Sequence, residues 1–401
     1  MSGALSVTEA RERLLAGLAR ADTGSERLPL EETLDRILAH DLVAPVSVPA
    51  WDNSAMDGYA VRAADVAADG GTELAVSQRI PAGVGPVPLR SGTAARIFTG
   101  APVPEGADTV IMQEDCTETG DSVRIDRFPG AGANIRAAGE DIRAGDVVIP
   151  AGRRLRPQDL GLAASVGADA LDVGRRLRVA VLATGDELVP PGQPLPPGGI
   201  YNSNAPLAAA LLRRLGCEPL PPERVADTPE ATREALTRAA AAADLVLTSG
   251  GVSVGDEDHV KAAVEALGRL DLWKVAMKPG KPLAIGRVAE TPFLGLPGNP
   301  VSLFATFLLF AAPAIRRMQG RDTLLATPVP VPAGFERDRP GKRDEFLRVR
   351  VENGRLAAYP SQGSGVLSSA AWAHGLAHVP AGTRVAAGMP LDYYAMDSLL
   401  A

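Results

Sequence analysis

Apolar and polar positions change rhythm several times along this chain. Ser6 and Glu9 stand at capping-box spacing ahead of Ala10-Arg-Glu-Arg-Leu-Leu-Ala-Gly-Leu18, which predicts an N-terminal helix. A second helix is expected near Leu30 to His40, behind Pro29. From about Val43 to Pro150 the pattern becomes short alternating runs, such as Glu73-Leu-Ala-Val-Ser77 and Ser122-Val-Arg-Ile-Asp126, punctuated by Gly and Pro. That is the pattern of strands and turns. Pro157 to Ser165 returns to helix, so helical pieces flank a β-rich insert.

From residue 177 to about 320 the chain alternates strands with helices. Leu177-Arg-Val-Ala-Val-Leu-Ala183 and Asp244-Leu-Val-Leu-Thr-Ser249 are continuous apolar runs of the kind buried on both faces of a parallel sheet. Helices are expected from Asn204 to Leu215, stopping at Gly216, from Asp227-Thr-Pro-Glu230 onward, and from His259 to Leu267. Pro282–Gly286 and Pro292–Leu296 read as strands. The apolar run Val301–Ile315 is too short and interrupted for a bilayer span and reads as a helix buried in a core or a subunit contact. This alternation predicts a three-layer α/β domain with a mostly parallel sheet. Beyond Thr327 the runs Phe346–Val351 and Arg355–Tyr359, joined by the turn Glu352-Asn-Gly354, predict a small all-β domain.

With 401 residues the chain is long enough for several such domains. A net charge of -7 argues against a general nucleic-acid binder, whose phosphate contacts need a basic face, so any anion site must be local. Two cysteines, Cys116 and Cys217, are too few for a disulfide framework or a thiolate metal site and suit a reducing cytoplasm. The opening residues show no basic stretch with an apolar core behind it, so neither a secretory signal nor membrane attachment is expected.

Of 41 basic residues other than histidine only five are lysines, and three of these fall together as Lys274, Lys278 and Lys281. Lysine is a compact, strongly hydrated point charge, whereas arginine is a planar fork, so this cluster marks a candidate anion pocket. Three loops at predicted strand ends belong with it: Thr184-Gly-Asp-Glu187, Ser249-Gly-Gly-Val-Ser-Val-Gly-Asp256 and Leu296-Pro-Gly-Asn-Pro300. Ligands of open α/β sheets bind outside the carboxyl ends of strands, and glycines such as Gly250 and Gly251 let a ligand approach the backbone. Any one of these loops alone is an ordinary turn or helix start.

Asp186, Glu187, Asp227, Asp256, Glu257 and Asp258 share these loops. Carboxylates beside an anion pocket repel its ligand unless a cation lies between, and Mg²⁺ is held by one or two carboxylates with water and phosphate. The same side chains could cap helices, Asp227 and Asp258 foremost. The pattern points to Mg²⁺-assisted chemistry on a phosphorylated substrate. The segment Trp51-Asp-Asn-Ser-Ala-Met-Asp-Gly-Tyr-Ala60 could form a polar binding loop, although turn hydrogen bonds account for much of its composition.

Asp52-Asn-Ser-Ala-Met-Asp-Gly-Tyr-Ala60, Thr99-Gly-Ala-Pro102, Gly139-Glu-Asp-Ile142, Thr184-Gly-Asp-Glu-Leu188, Ser249–Gly255, Lys278-Pro-Gly-Lys-Pro282 and Leu296-Pro-Gly-Asn-Pro-Val-Ser302 together resemble the molybdopterin molybdenumtransferase (MoeA-like) family, which is similar to the E domain of gephyrin. The matches keep the family's order and cover most of the chain. The resemblance implies a helical linking domain (1–45 and 142–176), an inserted β-rich domain (46–141), a three-layer α/β molybdopterin-binding domain (177–322) and a small β-barrel-like C-terminal domain (323–401). It further implies a homodimer with a pocket partly assembled across it, and hydrolysis of adenylylated molybdopterin with release of AMP as molybdate enters the dithiolene.

Carried over by motif, Asp57, Thr99, Asp141, Glu187, Asp227 and Asp258 would be catalytic, and Glu187, Asp227 and Asp258 would hold Mg²⁺. Lys278, Lys281, Pro282 and Ser302, with Gly250, Gly251, Ser253, Pro297 and Pro300, would bind molybdate and substrate. Arg348 and Ser364 are the expected C-terminal contributors, with Arg343 as the alternative to Arg348. Implied partners are a molybdopterin adenylyltransferase and proteins that mature molybdoenzymes. Rival readings are an adenylyltransferase that prepares the adenylylated pterin, against which the extra domains argue, and a scaffold role, against which the intact acidic and lysine motifs argue. No dinucleotide fingerprint follows the first α/β strand, which excludes a general oxidoreductase.

Overall fold

The computed structural model describes residues 4–251 and 259–401; Ser253, Asp256, Glu257 and Asp258 lie outside them. The α/β unit is built on a seven-stranded sheet in the order Glu218–Pro219, Arg178–Thr184, Leu245–Ser249, Thr291–Leu296, Pro282–Val288, Gly268–Lys274, with Glu223–Val225 also on Arg178–Thr184. Arg178–Thr184, Leu245–Ser249 and Thr291–Leu296 run parallel. Pro282–Val288 and Gly268–Lys274 then fold back antiparallel at one edge.

Strand side chains alternate between the two faces of this sheet, and the helices divide accordingly. Val179, Val181, Leu245, Leu247, Leu294 and Leu296 face a core shared with the helices Val7–Ala16, Asn204–Arg214 and the long segment from Pro300 to Met318. Ala180, Leu182, Val246 and Phe293 face Pro229–Ala242 and His259–Leu267. The result is three layers, as the alternation of apolar runs predicts.

The segment from Pro300 runs as Pro300–Thr306, a wider turn Phe307–Ala311, then Ala312–Met318. The wider turn lies just ahead of Pro313, which has no N–H for a carbonyl four residues back and whose ring crowds that carbonyl. Over its 19 residues this helix is long and apolar enough to cross a membrane, yet 94% of its most apolar 18-residue stretch is buried within the fold. Each fully buried large apolar side chain here, Phe307 and Phe310 among them, contributes roughly 1.5–3 kcal/mol. It is the central core helix.

The N-terminal helix has its capping box: Glu9 N–H donates to Ser6 Oγ at 3.2 Å, and Ser6 N–H donates to the Glu9 carboxylate at 2.9 Å. The expected helix from Leu30 to His40 does not form. Ser25–Pro29 is instead a strand paired with Ala170–Gly174, and only a single tight turn, Leu30–Glu32, follows. Asp35 adopts a left-handed backbone (φ 63°), and the Leu38 and Ala39 N–H groups bond Arg153 O and Asp172 O, each at 2.9 Å. Pairing with distant backbone, with Leu38 packed among Ile149, Leu155, Leu171 and Val173, overrides local helical propensity. The helix Pro157–Ser165 does form in this region.

The β-rich insert carries a six-stranded sheet spanning Gly58 to Ile125. In the C-terminal unit, Arg355–Ala358, Asp344–Glu352, Gly375–Val379, Pro390–Ala395 and Val329–Pro332 follow one another in an antiparallel sheet. Ala333 bridges back to Leu356, where Gly334 N–H donates to Leu356 O at 2.8 Å. That contact closes the sheet into a small barrel. A short strand, Met277–Lys278, leaves the α/β unit and pairs in parallel with Asp344–Glu345 of the barrel.

Candidate active site

A cavity of about 1010 Å³ opens where the sheet's carboxyl ends meet the barrel. Thr184, Ser249 and Leu296 end three adjacent parallel strands, so the loops after them must lie side by side. Gly250 N–H donates to Leu296 O at 3.0 Å, locking two of these loops together. Gly251 is left-handed (φ 66°), and a side chain there would run into Val260. Only glycine fits this turn without strain.

The cavity wall is rich in both signs of charge. Glu187 and Asp227 follow Arg178–Thr184 and Glu223–Val225, at one end of the strand order, whereas Lys278 and Lys281 precede Pro282–Val288 toward the other end; Ser302 and Arg343 line the same cavity. Gly250, Gly251, Pro282, Pro297 and Ser364 also line it. Pro300 is not in the wall; it begins the core helix behind Asn299. Lys274 is likewise outside, exposed at the end of its strand.

Asp227 is relieved of capping duty. Thr228 is the N-cap of Pro229–Ala242, its hydroxyl accepting from Ala231 N–H at 3.2 Å, so the neighbouring carboxylate is free to face the cavity. Asp227 is thus not the cap of this helix, and it lines the cavity. Asp258, for which the same choice arises, lies outside the described residues.

The C-terminal arginines exchange places relative to expectation. Arg348 does not reach the cavity: it is 1% exposed, donating to Ser369 Oγ and Gly363 O at 3.1 Å each. Burial pushes its guanidinium down to about 10, which leaves it charged at neutral pH. Its backbone also exchanges hydrogen bonds with the Gln362 side chain at 2.9 and 3.1 Å. Arg348 therefore shapes the Gln362-Gly363-Ser364 wall from behind. Arg343 lines the cavity and donates to Met277 O at 3.0 Å, in the strand that carries Lys278. Arg343 sits in the bend just ahead of the strand Asp344–Glu352, beside the cavity, whereas Arg348 lies within the strand and faces the interior.

Several wall residues carry no site signal in the sequence, His259 and Asn204 among them. His259 lines the cavity from the first position of His259–Leu267, where its sequence context marks only a helix start. Asn204 was read only as a helix opening, yet it is buried, and its amide donates to Ser249 Oγ at 2.8 Å and to Gly298 O at 2.6 Å. It thereby ties the loops after two strands to the start of a third element. The only signal was a polar residue at the head of an otherwise apolar helix face.

Asp57, Thr99 and Asp141 do not line this cavity. The insert nevertheless gathers their segments: Ser54 pairs with Ile135, Asn53 bridges Pro102, and Asp52 accepts from Ala138 N–H at 2.7 Å. Thr99 donates to Asp57 Oδ1 through its N–H at 2.8 Å and its hydroxyl at 2.7 Å. These bonds, the backbone one foremost, hold the Asp57 carboxyl below its ordinary value. They favour the charged form, so their stabilisation is present above the ordinary carboxylate range and is lost as pH falls through the lowered value. Thr99→Val keeps the N–H donor and removes the hydroxyl. The Asp57 midpoint should rise part of the way to normal in a carboxyl-carbon NMR titration; an unmoved midpoint contradicts this assignment.

Among the described residues no group of three or more His, Cys, Asp or Glu side chains is arranged to hold a metal. The carboxylates that line the cavity, among the described residues, are Glu187 and Asp227.

The fold and site define a multidomain enzyme whose α/β unit shares with a C-terminal barrel a cavity lined by lysines, an arginine and carboxylates. Residues 5–167 match the family described as MoeA N-terminal region (domain I and II), residues 180–317 the probable molybdopterin binding domain, and residues 330–396 the MoeA C-terminal region (domain IV). The chain is 39% identical over 400 residues to the molybdopterin molybdenumtransferase of Synechococcus elongatus, covering 97% of this chain and 98% of that one. It is 43% identical over 322 residues to the molybdopterin molybdenumtransferase of Haemophilus influenzae, covering 79% and 78%. The crystal structure of a molybdopterin biosynthesis MoeA protein from Pyrococcus horikoshii OT3 superposes with a TM-score of 0.84 at 28% identity, covering 98% and 100%. The chain belongs to the MoeA family of molybdopterin molybdenumtransferases and is a transferase of molybdenum-cofactor biosynthesis.

Proposed function

We propose that this cavity takes adenylylated molybdopterin and molybdate, and that the enzyme inserts molybdate at the dithiolene with release of AMP. The observation that carries this reading is the make-up of the wall, in which two lysines, an arginine and two carboxylates line one space at the strand ends. Molybdate is a compact tetrahedral dianion, which Lys278 and Lys281 can meet as movable point charges without planar matching. Ser302 offers a hydroxyl beside them, and Arg343 and Ser364 close the seat from the barrel side.

Glu187 and Asp227 are the residues that would hold Mg²⁺, with Asp258 a third candidate. Two carboxylates completed by substrate phosphate and water suit that ion, so the donor chemistry fits. When bound there, the ion supplies neutralisation of charge on the pyrophosphate link that breaks. The chain's own part is to bind the two anions at fixed separation, which converts an encounter into a positioned reaction.

Asp57, Thr99 and Asp141 stand outside the single-chain cavity, and we assign them to the cavity of a partner copy in a homodimer. A molybdopterin adenylyltransferase is the class of enzyme that supplies the substrate. The test is reconstitution of the full-length protein with adenylylated molybdopterin, molybdate and Mg²⁺. AMP release that requires molybdate is expected, and release indifferent to molybdate refutes the reading. Mixing Asp57→Asn with Lys278→Ala chains should restore activity, because one intact composite site forms in each mixed dimer; no restoration refutes the shared site.

A further inference from the structure

Lys278 is more than a pocket wall residue. It is the register partner of Glu345 across the short parallel pairing that joins the α/β unit to the barrel. Glu345 is 6% exposed, and a carboxylate removed from water this far needs a cationic partner. It has two, held very differently. Arg337 Nη1 lies 2.6 Å from Glu345 Oε2, whereas Lys278 Nζ lies 3.8 Å from Oε1. Arg337 is anchored in turn by the barrel, exchanging backbone hydrogen bonds with Val385 at 2.8 and 3.1 Å.

We infer that Arg337 and Glu345 are positioning residues that set how much positive charge Lys278 presents to an incoming oxyanion. The inference rests on the reading of Lys278 as an oxyanion seat. Arg337 takes up most of the carboxylate's charge through a short charge-assisted bond. Lys278 is thereby steered by Glu345 without being captured, and its side chain stays 45% exposed in the cavity wall. Arg337 does not line the cavity, so its effect on an anion must pass through Glu345. Without Arg337, the buried carboxylate would draw the ammonium in and compete with the ligand. Without the carboxylate charge, the ammonium would be wholly available.

This arrangement predicts opposite signs for two variants. Molybdate binding to the full-length protein is measured by titration calorimetry, with sulfate as a second tetrahedral dianion, and thermal melting is recorded for every variant. Arg337→Gln should weaken binding about tenfold, and Glu345→Gln should tighten it severalfold. The double variant should bind at least as tightly as wild type, a rescue that a merely structural role for Arg337 would not produce. Should Arg337→Gln melt too low to assay, Glu345→Gln alone still decides by its sign. Unchanged binding in Arg337→Gln, weaker binding in Glu345→Gln, or a double variant as weak as Arg337→Gln overturns the inference. Lys278→Ala is the control for the underlying reading: if it binds molybdate as wild type does, the oxyanion seat itself is wrong. If it weakens binding while Arg337→Gln does not, only the charge-balancing role falls.

Discussion

Lys278→Ala is expected to lower molybdate-dependent product formation by one to two orders of magnitude while leaving the thermal midpoint close to wild type. The ammonium lines the cavity and is 45% exposed, so the core does not depend on it. Its loss costs a charge-assisted hydrogen bond to a dianion, about 1.5–3 kcal/mol, which corresponds to roughly 10- to 150-fold. Lys281 and Arg343 remain to hold some of the charge, so residual activity should respond to higher molybdate concentration. Product formation equal to wild type at saturating adenylylated pterin would remove Lys278 from the site. A large fall in melting temperature would instead show that its contact with Glu345 is structural.

Arg343 and Arg348 should separate activity from stability. Arg343→Ala removes a cation from the cavity wall and one hydrogen bond to Met277 O. It should depress activity about tenfold or more with little change in melting. Arg348→Ala empties the space of the largest fully buried side chain and leaves the Ser369 hydroxyl and Gly363 carbonyl short of a donor. A loss of about 2–3 kcal/mol is expected, seen as a thermal midpoint lower by about 5 °C or more. Arg348→Met restores volume and removes a buried charge, so it should recover part of that loss. Activity of Arg348→Met should follow how well the Gln362–Ser364 wall is rebuilt. If Arg348→Ala melts like wild type but loses molybdate binding, the assignment of the two arginines is reversed.

The fold was legible where local pattern and tertiary context agree. The apolar runs 177–183 and 244–249 are central strands because both faces of this sheet are covered, and each run satisfies both covers at once. The turn Glu352-Asn-Gly354 was legible because Asn353 and Gly354 both adopt positive φ (50° and 73°), which few other residue pairs do readily. Leu30–His40 misled because a helical arrangement of leucines says nothing of the distant strand whose backbone groups compete for the same residues. The anion cavity was legible in part, since strand-end loops, glycines and clustered lysines all occur within the α/β segment.

The sequence by itself determined the types of group available: compact cations in one motif, carboxylates in the loops, and glycines where backbone must turn left-handed. It also determined the family, because motifs in that order cover most of the chain. Only the tertiary structure decided which of these groups meet. It put Thr228 on the helix cap and so released Asp227, sent Arg348 inward and Arg343 outward, and set Glu345 between Arg337 and Lys278. The cap is decided by where the helix begins, but the burial of Arg348 and the pairing of Lys278 with Glu345 turn on the side of a strand and the register of a pairing with residues far away in the chain. A one-residue change in that register reverses the result, and local sequence does not sense it.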